Sequence, residues 1–327
     1  MSTDAGLTSA SQPTAPLAAG DGSGVIHDIG YRRYDAERHG RPGIVAALTW
    51  HSFRAAFGLG RGAKAKIFPV LLFVMMCLPA VVNTVGLAIH PGSQPVVGYD
   101  AYIPSLRTIA MLIFVAIEAP NLVSADLRTH TLPLYFARPI KRTDYPLAKL
   151  IAFVLACLFM IEVPELLLWL GSITQQKHPS QVLEQTLQLG PGLLYGGAWA
   201  LLLASIGLLL ASSTGKRVFA ICAIGIPLFF SYILAHVLSN VGAQAFRPEG
   251  FGEPSALASL GGLISPFTLL GGVLRWLQAP RGANLPTQIT QATVVGHYGW
   301  LYGVVFVVLT AAAIGGLFGR YRRVGIA

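Results

Sequence analysis

Three carboxylates stand where the chain offers them little water. Glu162 and Glu165 are three residues apart, so on a helix they share one face, and both fall in the apolar run that follows Lys149. At about 1.5 Å per residue, Glu162 lies roughly 20 Å beyond Lys149. A charge that deep in a bilayer costs about 2.5–3.5 kcal/mol on insertion scales and needs a partner or water. Pro164 between the two frees a carbonyl one turn back and should kink the helix. Either the pair lines a translocation path, or it closes an internal polar network. Glu118 sits about one helical turn before a polar island that begins at Ser124. There it can snorkel, pair with Arg128 or Lys149, or tie its own helix to the island. His236 and His297 fall near the outer ends of the last two apolar runs and read as interfacial residues. Together with the glutamates they are the only acid/base set a membrane enzyme would have, and the His-Glu-x-x-His spacing of a zinc site is absent from the sequence. Cys77, Cys157 and Cys222 each lie inside an apolar run. Their odd count and lack of metal spacing make them packing residues. Lys64 is followed by Ala65 and Lys216 by Arg217, so neither glycine-flanked lysine opens a phosphate loop, which requires Ser or Thr at that place. No nucleotide or metal site is expected in the chain itself.

The elements that carry these residues are membrane helices. The chain is 54% hydrophobic and 11% charged, with mean hydropathy +0.61, against about 25% charged for soluble domains. Runs at 67–89, 102–124, 148–171, 192–211, 218–238 and 299–318 are each long enough to cross about 30 Å of hydrocarbon. A further run, 256–277, is broken by Pro266 and by two Gly-Gly pairs. It reads as two half-length helices that enter and return, which is tolerated where protein covers the backbone. The net charge of +9 is not spread as a nucleic-acid surface would need. Eighteen Lys and Arg lie before the first run, around the polar island, at Lys216 and Arg217, and at Arg320, Arg322 and Arg323, while five lie on the other side. Basic residues accumulate on the cytoplasmic side, so both termini are expected there, with membrane lipid as a contact. Ahead of the first run, residues 1–24 read as a disordered tail and 25–66 as a juxtamembrane segment. Within the latter, Pro42 opens a helix over 43–57 whose Trp50, Phe53 and Phe57 suit a helix lying in the interface. Residues 67–318 form the membrane domain and 319–327 a short tail. The pairs Gly192/Gly196 and Gly315/Gly319 have the spacing of close helix contacts, though a chain with 36 glycines produces it by chance.

The polar island, 125–147, is the longest charged stretch between two spans. It holds Arg128, Arg138, Lys141 and Arg142 against Asp126 and Asp144, with Lys149 opening the next run. Pro133 suits the first turn of a helix, and Pro139 disfavours helical geometry at Arg138. What fits between is a helix over 133–137 displaying Leu134, Tyr135 and Phe136. A helix of under two turns is unstable alone, so its own domain or a docked partner must hold it.

The order of residues here resembles a known family. An acidic-basic pair comes first, followed by Thr131, Leu132, Pro133, Leu134 and Tyr135. Then come Arg138, Pro139, Ile140, Arg142, Asp144 and Tyr145, with Lys149 opening the next span. This pattern is similar to the membrane subunit of ABC exporters, the type-2 ABC permease family. The resemblance is most specific over 126–149 and looser from 26 to the end. It implies an all-α fold of six transmembrane helices, an N-terminal amphipathic elbow helix, and a re-entrant helical pair between spans five and six. It also implies a permease in the plasma (inner) membrane that works as a homo- or heterodimer. A separate ABC ATPase would bind ATP and Mg and dock on Leu132, Leu134, Tyr135, Phe136, Arg138, Lys141 and Arg142. The alternatives are a non-transporting scaffold or sensor subunit and, further off, a polytopic membrane enzyme. The cargo is not written in the sequence.

The charge asymmetry gives a first prediction. With single cysteines placed in a Cys-free background, an impermeant thiol reagent added outside intact cells should leave positions 36 and 325 unlabelled. Labelling of either position from outside would overturn the orientation.

Overall fold

A computed structural model describes residues 40–89, 106–129, 131–136, 140–174, 176, 178–244, 256–278 and 298–323. The N-terminal tail, the juxtamembrane segment up to residue 39, residues 245–255 and 279–297 with His297, and the last four residues lie outside them, while 319–323 of the expected C-terminal tail continue the last helix. Among the described residues there is no strand. The helices, in order, are α1 (Arg41–Ala56), α2 (Ala63–Ile89), α3 (Thr108–Arg128), α4 (Leu132–Phe136), α5 (Asp144–Ile173), α6 (Pro179–Ala211), α7 (Arg217–Gln244), α8 (Ala256–Gly261), α9 (Pro266–Gln278) and α10 (Gly299–Arg323). Six of them, α2, α3, α5, α6, α7 and α10, are long and apolar enough to cross a membrane. In hydrocarbon every backbone donor must be satisfied inside its own segment, which an α-helix achieves. Prolines 69, 79, 120, 164 and 227 all sit inside these helices, each leaving one carbonyl for neighbouring helices to cover.

The sequence boundaries shift in physically sensible ways. α5 begins at Asp144, four residues before the apolar run, because an acidic residue is favourable in a helix's first turn. α6 begins at Pro179, well ahead of its membrane portion Gly192–Ala211. Its first three turns are a polar extension for which hydropathy gives no signal.

α3 is the centre of the bundle. Of its most apolar window, 72% is buried inside the protein, against 22% for α2, α7 and α10. Met111, Phe114 and Val115 on α3 pack with Phe153 and Cys157 on α5 and with Leu202 and Leu203 on α6, all fully buried. Cys157 is thus a packing residue as expected. Cys222 is not, since it lies exposed on α7.

α1 leans on α5. Its aromatic stripe runs from Trp50 to Phe53 to Phe57, and the Phe57 ring meets Phe159 at 5.3 Å and Phe114 at 6.0 Å. At the other end, Arg41 meets Asp144. The contacts with α5 therefore climb from Asp144 to Phe159 rather than staying at one level. The link to α2 turns sharply at Gly58 and Gly60, with φ of 67° and 90°. A Cβ on Gly58 would also strike the Ala65 carbonyl, so this glycine serves the turn twice over.

The 256–277 run does break. α8 passes through a 3₁₀ turn, Gly262–Ile264, to an extended Ser265. The Ser265 Oγ accepts the Phe267 N–H at 3.3 Å, and Pro266 opens α9, an arrangement of cap serine followed by proline. At about 1.5 Å per residue, α9 is roughly 20 Å long, too short to cross. The pair is held by α10, where the buried Tyr302 donates its hydroxyl to the Ser259 carbonyl at 2.7 Å and lays its ring on Gly272.

Tyr302→Phe removes one buried hydrogen bond, worth about 0.5–1.5 kcal/mol. It should speed amide hydrogen exchange across residues 256–264 several-fold while leaving α3 and α5 unchanged. Exchange measured by mass spectrometry, unaltered over 256–264, would show that this hydroxyl does not hold the pair.

Candidate functional site

The short helix α4 covers Leu132–Phe136, one residue earlier than the proline signal places it. The Thr131 carbonyl accepts the N–H of Leu134 at 3.0 Å and of Tyr135 at 3.3 Å, so the turn begins before Pro133. Alone it would not persist. Its footing is a group of side chains from three other helices. Asp126, near the end of α3, accepts the Tyr145 hydroxyl at 2.7 Å and the Lys149 ammonium at 2.9 Å. Lys149 also donates to the Leu122 carbonyl at 2.9 Å and lies over the Tyr145 ring. The Tyr145 ring contacts Tyr135 of α4 at 5.5 Å and Tyr321 of α10 at 5.1 Å. Beside this group, Ser124 donates to the Ala211 carbonyl and Arg320 donates to the carbonyls of Ser212 and Ser213. A serine and an arginine thus satisfy the open end of α6.

A second tie joins α1 to the same end. The Arg41 guanidinium grips Asp144 with two hydrogen bonds of 2.7 and 2.6 Å, and the Lys141 N–H donates to the same carboxylate at 2.8 Å. The hydrogen-bonded carboxylate holds the Arg41 pKa above its ordinary value. Between α1 and α4 lies a cavity of about 340 Å³ lined by Ile44, Ala47, His51, Tyr135 and Ile140.

Within α4 the residues divide. Leu132 is buried against the bundle, Leu134 is 71% exposed, and Tyr135 is half-buried against Tyr145. Lys141 and Arg142 are exposed. Arg138 and the Phe136 side chain lie outside the described residues. The displayed face expected from the sequence is therefore carried by Leu134, with Tyr135 turned partly into the footing.

The buried carboxylates form a separate centre far from α4. Arg107, at the opposite end of α3 and 2% exposed, pairs with Glu165 at 3.5 Å and lies over the Trp199 ring of α6 at 5.5 Å. Arg107 is one of the five basic residues counted on the far side of the membrane, and the structure makes it the counter-ion of a carboxylate on α5. Glu162 is half-buried on the same face of α5, and neither of its oxygens has a hydrogen-bond partner. The Arg107 Nε and Nη2 and the Trp199 Nε1 also lack partners. The carboxyl groups fit because α6 presents two glycines to them. A Cβ on Gly192 would run into Glu165 Oε1, and one on Gly196 into Glu162 Oε1. The Gly192/Gly196 spacing is thus used, but to admit two side chains rather than to bring backbones together.

Glu118 does not take the partners expected of it. It is buried, so it does not snorkel, and it accepts a 2.8 Å hydrogen bond from Asn121 of its own helix. Among the described residues no ion pair joins it to Lys149 or Arg128. The reason is position: Lys149 is taken by Asp126, two turns nearer the loop. His236 packs edge-on against Tyr232 of its own helix at 4.5 Å, on α7 and away from the paired glutamates of α5. Among the described residues no group of three or more His, Cys, Asp and Glu is placed to hold a metal. Neither a family model nor a curated protein sequence matches the chain.

Gly196→Ala should force the Glu162 carboxyl out of its place and lower stability by about 1–3 kcal/mol, the usual cost of overpacking. Adding Glu162→Ala removes the obstructing oxygen, so the double variant should recover much of the lost melting temperature. Strictly additive losses in thermal melts would mean that the two residues do not share this space.

Proposed function

We propose that this chain is the permease subunit of an ATP-driven exporter of the type-2 ABC permease kind. In this reading it spans the plasma (inner) membrane with both termini in the cytoplasm. It pairs with a second permease copy, and α4 receives the push of a separate ATPase that holds the ATP and Mg. The observation that carries the proposal is α4 itself, a single exposed turn whose Leu134 faces outward while its base is locked to α3, α5 and α10. A loop with no partner has no need of such a footing. An exposed apolar residue on a loop that also exposes Lys141 and Arg142 has the make-up of a protein contact with an apolar centre and a charged rim. The basic residues around this end support its cytoplasmic placement. In the same reading α1 is the elbow helix, and α8 with α9 is the re-entrant pair on the outer side.

The test is association with the ATPase subunit, measured with purified components. Leu134→Ala removes an exposed side chain without disturbing the footing. A contact of the hot-spot kind is worth about 2 kcal/mol, or roughly thirty-fold in affinity. Tyr135→Ala with Phe136→Ala should weaken association further and uncouple ATP hydrolysis from transport, because Tyr135 also contacts Tyr145. Arg142→Ala, on the rim, should matter less and should depend on salt. Membrane insertion should be unchanged in all of them. Full association and full transport in both the Leu134 and the double variant would remove the coupling role from α4.

A further inference from the structure

Between α1 and α5 the surface opens into a groove of about 900 Å³. Ala46, Trp50 and Phe53 form one wall, and Leu147, Ile151 and Leu155 the other. The inner end is closed by Phe159 and the stem of Glu162, whose carboxyl is packed against Gly196. The other end carries Arg41, with its side chain still 44% exposed although two of its nitrogens are held by Asp144. Lys141 is exposed beside it and places its own backbone N–H on the same carboxylate. Among the described residues a single Asp144 faces two cations here, which leaves this end of the groove net positive.

The dimensions and chemistry narrow the occupant. From Asp144 to Phe159, α5 rises about 22 Å, against about 15 Å for one leaflet, half of the roughly 30 Å hydrocarbon core. One extended acyl chain fits with its headgroup at the Arg41 end. A peptide in this groove would bury backbone donors and acceptors against walls that offer them nothing, whereas a hydrocarbon chain has none to satisfy. Trp50, exposed on the rim about 13 Å along α1 from Arg41, offers its ring to the acyl chain, while Arg41 stands at the headgroup level. Positive charge at that level favours an anionic lipid over a zwitterionic one.

We propose that the α1–α5 groove is a binding site for one anionic phospholipid, its phosphate against Arg41 and Lys141 and one acyl chain laid between the two helices. The lipid supplies the packing that α1 and α5 do not give each other on this side. The site does not require the exporter reading, although Lys141 is shared with the rim of the contact proposed for α4. To test it, the full-length chain is placed in nanodiscs of equal phosphatidylcholine and phosphatidylglycerol. It is then released into mild detergent, and the retained lipids are counted by native mass spectrometry. One phosphatidylglycerol per chain should remain in preference to phosphatidylcholine. Ala46→Trp fills the groove and should reduce that retention several-fold. Leu155→Trp on the opposite wall carries the same test if Ala46→Trp does not fold. Lys141→Gln should leave a lipid bound but remove the preference for phosphatidylglycerol. Undiminished retention in a folded filling variant would overturn the proposal, as would a wild-type chain with no headgroup preference. Disulfide cross-linking of two chains through Ala46→Cys would overturn it too, since it would show a second copy in the groove.

Discussion

A single ammonium decides how the loop end of this protein is built. Lys149 is 7% exposed and lies about one turn inside α5, where an unpaired charge would be costly. Its three donors need oxygen, and the chain supplies Asp126 and the Leu122 carbonyl, both from the last two turns of α3. Breaking such a pair by removing one partner typically costs about 3–5 kcal/mol, because the other charge is left stranded. The ends of α3 and α5 are therefore fixed side by side. Everything between them must close over a short gap. That is why five residues suffice for α4, and why Tyr145 rather than solvent receives it.

The buried carboxylates follow a different rule. Glu165 has a counter-ion and Glu162 does not, although the two share a helix face and a guanidinium lies beside them. Arg107 spends one nitrogen on Glu165 and leaves two without partners, while Trp199 beneath it also leaves its N–H unused. Partly satisfied polar networks cost more than full ones, and unpaired buried groups gather where a structure has work to do or admits water. Glu165 is held in a buried pair with Arg107. Glu162 stands at its edge, its stem in the lipid-facing groove and its head among the glycines of α6.

How much of this was legible in the residues differs from one element to the next. The six spans were readable because hydrocarbon permits little besides uninterrupted apolar helix, so composition alone nearly defines them. The break at Ser265-Pro266 was readable because proline and paired glycines leave a local trace. The existence of α4 was readable for the same reason, from Pro133 and Pro139. Its footing was not. Asp126, Tyr145 and Tyr321 are 19 and 176 residues apart in turn, and nothing in the periodicity of three separate helices says which faces meet. Of the options left open for Glu118, pairing with Lys149 fails because Asp126, two turns nearer the loop, takes that ammonium. Arg107, one of the five basic residues counted on the far side, already lies inside the 102–124 run, and a charge count cannot tell such an arginine from a solvated one.

In the proposed exporter these details decide how a push on α4 would travel. The paired glutamates are poor candidates for the relay, since Glu162 lies some 18 residues, about 27 Å, along α5 from Asp144, at the end of the helix where Arg107 holds Glu165. Glu118 is bonded to Asn121 of its own helix, whose backbone carbonyl accepts a hydrogen bond from Arg61. The continuous contact is instead the row of rings from Tyr135 to Tyr145 to Tyr321, with Asp126 bonded to the middle one. Each ring belongs to a different helix, and Tyr145 and Tyr321 are almost wholly buried. Close-packed rings transmit displacement because the interior has no free volume to absorb it. A movement of α4 would therefore reach α5 and α10 directly, and α3 through Asp126. The three helices would move at their loop ends while the Arg107–Glu165 pair holds α3 to α5 at the other. Between the two ends, Pro120 near the middle of α3 has already removed a backbone hydrogen bond, while Pro164 on α5 lies beside Glu165 at the fastened end.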